Sequence, residues 1–424
     1  MTIPSMPAGP ALDALNGLSV GDALGAQFFV PQTARAHLAA RTEPPGPWPW
    51  TDDTEMACSV HAAQVERGAI DAFDLVHAFA LRHDFDRGYG PAANRLLRLV
   101  REGGDAKRLA AELFDGQGSY GNGAAMRVAP LGAAYAEDPK AVVRPAADTA
   151  LTTHTHPQAV DGAIAVAVAA AYAVRARTRP TTPERFLASV ADLTPNGAVR
   201  DGLGEARRLL DRADSRLAAQ VLGNGSRTSA ADTVPYALWC AARHLADYRT
   251  AVREAIGAGG DTDTVAAITG GVVAAHTGTA GIPPAWLAAR EPLPGWAFPE
   301  PGGVRAAGEP HLRPLSLPRP HPVPDLLWSD ADWERIRRGL RPRDVDERWA
   351  SVVSEGVLHL YRSVGGAEIY RVKAARVRDG WRPVEALVEA DPGRHRAWDD
   401  HTALPVVLGL AALGYESFRP GFRP

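Results

Sequence analysis

The chain has 424 residues, a formal net charge of -3, 46% hydrophobic residues and 22% charged residues. This length exceeds what one compact core usually serves, so we predict two domains. The composition is typical of a soluble globular protein, and no block of Lys or Arg provides the electrostatic footprint of a nucleic-acid-binding protein.

The cysteines and the apolar runs indicate in which cellular compartment the protein works. Cys58 and Cys240 lie in apolar runs and are predicted core residues, and nothing resembles a disulfide framework or a zinc pattern. Residues 1–10 have neither the basic nor the apolar region of a signal peptide. The longest apolar run, 163–174, stops at Arg175 and is too short for a membrane span. We therefore expect a cytoplasmic protein with no membrane contact.

Residues 11–29 combine apolar residues at helical spacing with small residues between them, which predicts a helix that packs closely against its neighbours. Asp22 lies inside this run, and a buried carboxylate needs a partner. Two interpretations stay open: Asp22 supports a metal site from behind, or it is a structural acid bonded to the backbone.

An acidic stretch follows the Pro- and Trp-rich loop 44–49. Thr51, Asp52 and Asp53 place a hydroxyl and two adjacent carboxylates directly before an apolar run. Such residues can simply cap a helix, and Asp52 with Glu55 has the spacing of a capping box. They can also supply hard oxygen ligands to a metal ion.

The glycine-rich loop 116–123 precedes a predicted helix. Consecutive N–H groups in such a loop can cradle a phosphate or diphosphate, although an ordinary turn has the same composition. Farther along, His154 and His156 have a His-x-His spacing, but no further His or Cys stands nearby, which disfavours a transition-metal site. We expect His154 either to hold a substrate or to cap the Ala-rich helix that follows.

A second acidic stretch repeats the pattern of the first. Asp261, Asp263 and Thr264 follow a pair of glycines and precede the apolar run 265–268. Asp261 occupies a predicted N-cap position, and the other two fall in the first turn. Two such helix starts could face each other, and their oxygen ligands would suit Mg²⁺ or Mn²⁺.

The composition shifts near residue 282. Prolines crowd residues 282–324, which predicts an extended linker or a wrapped arm. Beyond it we predict a helix in 328–340, strands at 356–361, 367–378 and 381–388 with a hairpin turn at Asp379-Gly380, and a helix at 403–414. The predicted division is a helical domain at 1–282, a Pro-rich linker at 283–325 and a small α+β module at 326–424.

Several motifs, taken in order, resemble the ADP-ribosylglycohydrolase family, which includes dinitrogenase-reductase-activating glycohydrolase and the mammalian ADP-ribosyl-acceptor hydrolases. The matching motifs are Gly-Asp-Ala-Leu-Gly-Ala at 21–26, Trp-Thr-Asp-Asp-Thr at 50–54, Arg-Gly-Tyr-Gly-Pro at 87–91, Gly-Asn-Gly-Ala-Ala-Met-Arg at 121–127, Thr-His-Thr-His-Pro at 153–157 and Gly-Asp-Thr-Asp-Thr at 260–264. They span about 11–280, so the C-terminal module is outside the resemblance. The resemblance implies an all-α orthogonal helical bundle, to which this chain adds its small C-terminal α+β module.

The resemblance also implies a site with two Mg²⁺ ions, with Mn²⁺ as the alternative. Thr51, Asp52 and Asp53 match one half of the metal ligands. Asp261, Asp263 and Thr264 match the other half, with Asp263 in the bridging position. The residues that match the substrate-binding loop and its histidine are Ser119, Tyr120, Gly121, Asn122, Gly123, Ala124, Met126 and His154.

One position departs from the family pattern. Many members carry a Glu a few residues after the first motif, as a metal ligand and a catalytic or gating acid, whereas Phe29 stands there in this chain. A phenyl ring can neither bind a metal nor move a proton. The departure implies a more weakly held second metal and a different leaving-group preference. It also leaves Asp52 or Asp53 as the predicted acceptor of the proton from the attacking water.

The expected activity is metal-dependent hydrolysis that releases ADP-ribose from an ADP-ribosylated protein, with an N-glycosidic bond to arginine as the leading linkage. A small ADP-ribose conjugate is the alternative substrate. The rival hypothesis is a catalytically weak binding or immunity protein that blocks an ADP-ribosyltransferase toxin, and Phe29 is the residue that bears on it.

Overall fold

The computed structural model describes residues 9–29, 31–211, 214–298, 314–340, 342, 348–354, 356–363, 366–391, 395 and 400–414. The chain divides into two compact units. The first comprises residues 1–100 and 105–303, and the second comprises residues 101–104 and 304–424.

The described part of the first unit is mainly helical. Its α-helices are α1 (Pro10–Ala26), α2 (Pro31–Ala40), α3 (Asp52–Arg67), α4 (Ala72–Arg82), α5 (Pro91–Arg101), α6 (Ala106–Ala111), α7 (Leu113–Gly116), α8 (Ala129–Ala134), α9 (Val143–Leu151), α10 (Pro157–Ala176), α11 (Pro183–Leu193), α12 (Ala198–Leu209), α13 (Ser215–Leu222), α14 (Ala230–Arg243), α15 (Tyr248–Gly257), α16 (Thr262–Thr277) and α17 (Pro284–Ala289).

Helices α1 and α16 pack closely through a row of small residues, as the sequence predicted. Gly17, Gly21 and Gly25 lie four residues apart, which places them on one face of α1. A Cβ atom built on Gly21 would stand 2.2 Å from the carbonyl oxygen of Ala266, so only glycine allows this approach. The contact brings Asp22 of α1 to the N-terminal end of α16.

Helix α10 is long and apolar enough to cross a membrane by length and composition, with a mean hydropathy of 1.5 over its window. However, 78% of that window is buried inside the protein, as in the core helix of a helical bundle. The expectation that no apolar run approaches this length is wrong, because α10 begins at Pro157 and continues to Ala176.

Among its described residues, the second unit contains an antiparallel sheet and two helices. Its elements are β1 (Pro318–Pro320), α18 (Asp330–Arg337), β2 (Trp349–Ser354), β3 (Val357–Arg362), β4 (Glu368–Val377), β5 (Gly380–Glu389) and α19 (Asp400–Leu413), and the strand order is β1-β5-β4-β3-β2. The predicted strands, hairpin and helices are present. Sequence reasoning missed β2 and the short strand β1.

Glu368 is a buried charged residue of this sheet. Its carboxylate accepts hydrogen bonds from His359 Nδ1 (2.7 Å), from Arg371 Nε and a terminal nitrogen (2.8 and 2.6 Å), and from the Leu315 N–H (2.9 Å). Burial alone would raise the pKa of Glu368, but the hydrogen bonds from Arg371 and His359 outweigh it and lower the pKa to about 2.

The predicted fold class, an all-α bundle with a small C-terminal α+β module, is confirmed. The division at 282 and 325 stays a prediction. Helix α17 lies inside the predicted linker, and its Trp286 is buried in the core of the helical unit. Residues 299–313 of that linker lie outside the described residues.

Candidate metal and substrate site

The two acidic stretches start two helices that meet. Thr51 is the N-cap of α3, and its Oγ1 accepts a hydrogen bond from the Asp53 N–H (3.4 Å). Asp261 occupies the N-cap position of α16. The Thr264 hydroxyl of α16 lies 3.4 Å from Asp53 Oδ2 of α3, which joins the two helix starts. Residues about 210 positions apart in sequence therefore share one site.

Three buried carboxylates crowd together where these helices meet. Asp22, Asp53 and Asp263 each offer an oxygen that lies within 4.8 Å of the others. Asp53 is 1% exposed, and its Oδ1 has no hydrogen-bond partner among the described residues. Burial raises the pKa of Asp53, and the charges of Asp263 and Asp22 raise it further. No ion pair with these three carboxylates is found among the described residues, and such a cluster fits a bound cation.

Asp22 makes the hydrogen bonds expected of a structural acid, one of the two interpretations that the sequence left open, while its support of a metal site stays a prediction. Its Oδ2 accepts hydrogen bonds from the Thr51 N–H (2.9 Å), the Thr54 N–H (3.2 Å) and the Thr54 hydroxyl (2.5 Å), while the Thr51 hydroxyl donates to Oδ1 (2.8 Å). It is therefore a structural acid that fixes the first turn of α3 on α1. It is also a member of the carboxylate cluster.

Capping does not explain the acidic residues. The N-cap of α3 is Thr51, so the proposed capping box of Asp52 with Glu55 is wrong. Glu55 instead accepts hydrogen bonds from the Tyr89 hydroxyl (2.7 Å) and the Asp84 N–H (3.1 Å). The Asp261 side chain makes no capping bond at the start of α16 and accepts a hydrogen bond from another loop.

The loop that carries the Arg-Gly-Tyr-Gly-Pro motif, for which sequence reasoning predicted no contacts, supports the start of α3. Arg87 forms a two-point ion pair with Glu291 (2.7 and 2.9 Å), donates to the Trp50 carbonyl (3.0 Å) and stacks on the Trp50 ring at 3.5 Å. Tyr89 in the same loop holds Glu55. The signal was the Arg-Gly-Tyr-Gly-Pro motif itself, whose polar side chains needed partners.

Asp52 lies at the edge of the cluster, under this loop. Its Oδ1 is 3.8 Å from the position of a Cβ atom built on Gly88. Burial, together with the charges of Asp22, Asp261 and Glu55, raises the pKa of Asp52 to about 8. A carboxyl group with a pKa near neutrality is suited to accepting and returning a proton.

The glycine-rich loop is tied to the second helix start. The Asn122 side-chain amide donates to Asp261 Oδ2 (2.6 Å) and to the Thr233 hydroxyl (3.0 Å), and the Asn122 N–H donates to the Thr228 carbonyl (2.9 Å). Ser119 accepts a hydrogen bond from the Gly121 N–H (3.2 Å). The structure thus places the predicted substrate loop directly beside the predicted metal ligands.

His154 packs against the glycine-rich loop, whereas His156 caps helix α10. A Cβ atom on Gly123 would stand 2.9 Å from His154 Cε1, so the loop needs glycine there. His154 Nδ1 lies 2.7 Å from the Thr153 hydroxyl. The helix-capping role that the sequence left open for His154 belongs to His156, whose Nδ1 accepts from the Gln158 N–H at the start of α10 (3.1 Å).

Comparison with known proteins identifies the family. The family model described as ADP-ribosylglycohydrolase matches residues 8–300. The chain belongs to the ADP-ribosylglycohydrolase family. It is 30% identical to ADP-ribosylhydrolase ARH3 of Xenopus tropicalis over 274 residues, covering 57% of this chain and 77% of that protein. The human protein of the same name is also 30% identical, over 56% of this chain and 73% of its own length. A solved structure titled "ADP-ribosylglycohydrolase-related protein complex" is 30% identical and covers 67% of this chain and 92% of its own, with a TM-score of 0.49.

An exposed aromatic surface borders the glycine-rich loop. Tyr120 is 44% exposed, and its ring centroid lies 6.0 Å from that of Phe114 and 5.8 Å from that of His156. In contrast, the Ala124 and Met126 side chains are buried, so a ligand would meet the backbone at these two positions. Phe29, which stands where the resemblance implies a Glu, lies just beyond α1 and is 50% exposed.

Proposed function

We propose that this protein is a Mg²⁺-dependent hydrolase that releases ADP-ribose from an ADP-ribosylated acceptor, with the N-glycosidic bond to arginine as the leading linkage. The observation that carries the proposal is the meeting of two acidic helix starts in one buried cluster whose Asp53 Oδ1 has no partner among the described residues. The relatives named ADP-ribosylhydrolase support the same reaction class.

The oxygen-rich ligand set fits a pair of hard divalent cations. Thr51, Asp52 and Asp53 would hold them from α3, and Asp261, Asp263 and Thr264 from α16. Mg²⁺ prefers such ligands, and Mn²⁺ is the alternative ion. When bound, the ions neutralise the crowded carboxylates, orient the ribose hydroxyls and lower the pKa of water at the site.

The chain's own residues accept the proton and position the substrate. Glycoside cleavage develops positive charge on the ribose ring, and the site must stabilise this charge while it activates a water molecule. Asp52 or Asp53 accepts the proton of the attacking water. The loop from Ser119 to Met126, with His154, positions the diphosphate and distal ribose. The half-exposed Tyr120 ring provides a flat surface for the adenine base.

Phe29 gives the alternative function a specific basis. Without a carboxylate at this position the second metal has one ligand fewer, and a catalytically weak protein could act by binding and blocking an ADP-ribosyltransferase toxin. The variant Asp263→Asn separates the two hypotheses. For a blocking protein, toxin protection persists in Asp263→Asn. For a hydrolase, protection is lost in Asp263→Asn, and Phe29→Glu changes turnover.

The direct test is to incubate the purified protein with arginine-ADP-ribosylated protein, with Mg²⁺ or with EDTA, and to measure free ADP-ribose. We expect release with Mg²⁺ only, and loss of release in Asp263→Asn. The exposed acid Asp201, which lies on α12, provides the control Asp201→Asn with unchanged activity. Release that is equal in EDTA would refute metal dependence. Binding of ADP-ribose without release would redirect the assay to hydroxyl-linked and small-molecule conjugates.

A further inference from the structure

Arg127 is a buried cation at the back of the substrate loop. It is 0% exposed, and it follows the loop directly in sequence. Its guanidinium stacks on the Phe79 ring at 4.5 Å and approaches Met56 Sδ of α3 at 3.4 Å. Although burial lowers the pKa of Arg127 to about 9, the group remains charged at neutral pH. A buried charge of this kind needs a role that offsets its desolvation.

The hydrogen bonds of Arg127 converge on the segment that carries His154. One terminal nitrogen donates to the Thr149 carbonyl (2.7 Å), the Thr153 hydroxyl (3.0 Å) and the Thr152 hydroxyl (3.2 Å). The Thr152 hydroxyl in turn donates to the Thr149 carbonyl (2.7 Å). Thr153 is 2% exposed, and its hydroxyl lies 2.7 Å from His154 Nδ1.

The direction of each hydrogen bond in this series follows from which groups can donate and which can only accept. An arginine has no acceptor, so the Thr153 oxygen must accept from Arg127. The Thr153 hydroxyl hydrogen then needs an acceptor of its own, and His154 Nδ1 is the acceptor that the described contacts provide. A His154 with hydrogen on Nδ1 would leave the Thr153 hydroxyl hydrogen without that partner. Burial and the nearby charge of Arg127 also lower the pKa of His154 to about 3, so the ring is neutral at pH 7.

We infer that Arg127 is a positioning residue that acts through Thr153 to hold His154 in the tautomer with its hydrogen on Nε2. This ring edge lies against the glycine-rich loop, because Nε2 stands 3.1 to 3.2 Å from Cβ positions built on Gly123 and Gly121. The site therefore presents a neutral N–H donor beside the loop, suited to a phosphate or hydroxyl oxygen of the ligand. The assignment of His154 to a ligand rests on the proposed function, whereas the tautomer does not.

The two adjacent threonines provide a matched pair of variants. Thr153→Val and Thr152→Val each remove one acceptor of Arg127, but only the first removes the bond to His154. Thr153→Ser restores the hydroxyl. Side-chain ¹⁵N resonances of ¹⁵N-histidine-labelled protein report which ring nitrogen carries the hydrogen, and His154→Gln assigns the signal. Arg127 itself is a poor first variant, because its loss from the core could unfold the protein.

We expect an unprotonated Nδ1 and a protonated Nε2 in the original protein, in Thr152→Val and in Thr153→Ser. In Thr153→Val we expect a mixture of tautomers or the opposite one. Affinity for ADP-ribose, measured by calorimetry, should fall about tenfold in Thr153→Val, as expected for a lost well-placed donor to a charged group, and stay within about twofold in Thr152→Val.

A protonated Nδ1 in the original protein would overturn the inference, as would identical spectra for the two valine variants. These outcomes are distinct from failure of the proposed function. If ADP-ribose does not bind while the spectra are as expected, the positioning role stands and the proposed ligand is wrong.

Discussion

Replacing Asp52 by Asn should make the metal-free protein more stable while weakening its metal site. The pKa of Asp52 is raised from 3.8 to about 8 in the folded state, so folding favours the protonated carboxyl. Its stabilising contribution is therefore full below pH 3.8 and is lost as the pH rises towards 8. At pH 7 the penalty reaches at most about 4 kcal/mol, at about 1.4 kcal/mol per pH unit, and an Asn side chain does not incur it.

Thermal unfolding measured at pH 5, 6, 7 and 8 tests this reasoning. In EDTA the original protein should lose stability as the pH rises, whereas Asp52→Asn should change less and should melt higher at pH 7 and 8. Excess Mg²⁺ should stabilise the original protein more than the variant, because a ligand of the native state adds about 2.7 kcal/mol at a hundred times its dissociation constant. The control Asp201→Asn should follow the original protein. A variant that melts lower than the original protein in EDTA at every pH would refute the account of the cluster.

Further substitutions test other parts of the structure. Glu368→Gln should destabilise the second unit by about 3 kcal/mol at neutral pH, because the pKa of Glu368 falls from 4.5 to about 2 on folding. The difference in stability from the original protein should shrink as the pH drops below 4.5 towards 2. Urea unfolding at pH 3 and at pH 7 measures this difference. Tyr89→Phe removes the hydroxyl that holds Glu55 and should cost about 1 to 2 kcal/mol in chemical unfolding together with part of the turnover; unchanged turnover would deny the support role of this loop. Gly21→Ala should lower stability by about 2 kcal/mol or more, because its Cβ would stand 2.2 Å from backbone in α16, whereas Gly204→Ala, with open space around it in α12, should raise stability by about 0.5 to 1 kcal/mol in the same melts.

The sequence predicted the helical bundle, the C-terminal strands and the residues that meet at the site, because these depend on local patterns. Apolar spacing marks helices such as α1, and alternation marks β3 to β5. The sequence alone could not show whether Asp52 and Asp261 cap their helices, since helix capping and metal binding use the same residues at the same positions. Only the hydrogen bonds decided this, and in the structure the Asp261 carboxylate turns to Asn122 instead.

Other features depend on partners that are distant in sequence. The spacing of Glu55 predicted a capping box, but in the structure Glu55 accepts hydrogen bonds from Tyr89 and Asp84. Arg87 forms an ion pair with Glu291, about 200 positions away in sequence. The start of α10 at Pro157 was missed because Asp161 interrupts the apolar pattern near its first turn. Strand β2 was missed although its register with β3 is regular over six residue pairs, because apolar and polar residues do not alternate along its sequence.

The most direct test of the central claim, that the starts of α3 and α16 together hold a pair of metal ions, is electron paramagnetic resonance of the metal-free protein titrated with Mn²⁺. The account predicts two bound ions per chain with a spin-coupled spectrum, and loss of the coupled spectrum in Asp263→Asn with no change in Asp201→Asn. A single uncoupled ion, or a coupled spectrum that survives in Asp263→Asn, would contradict it.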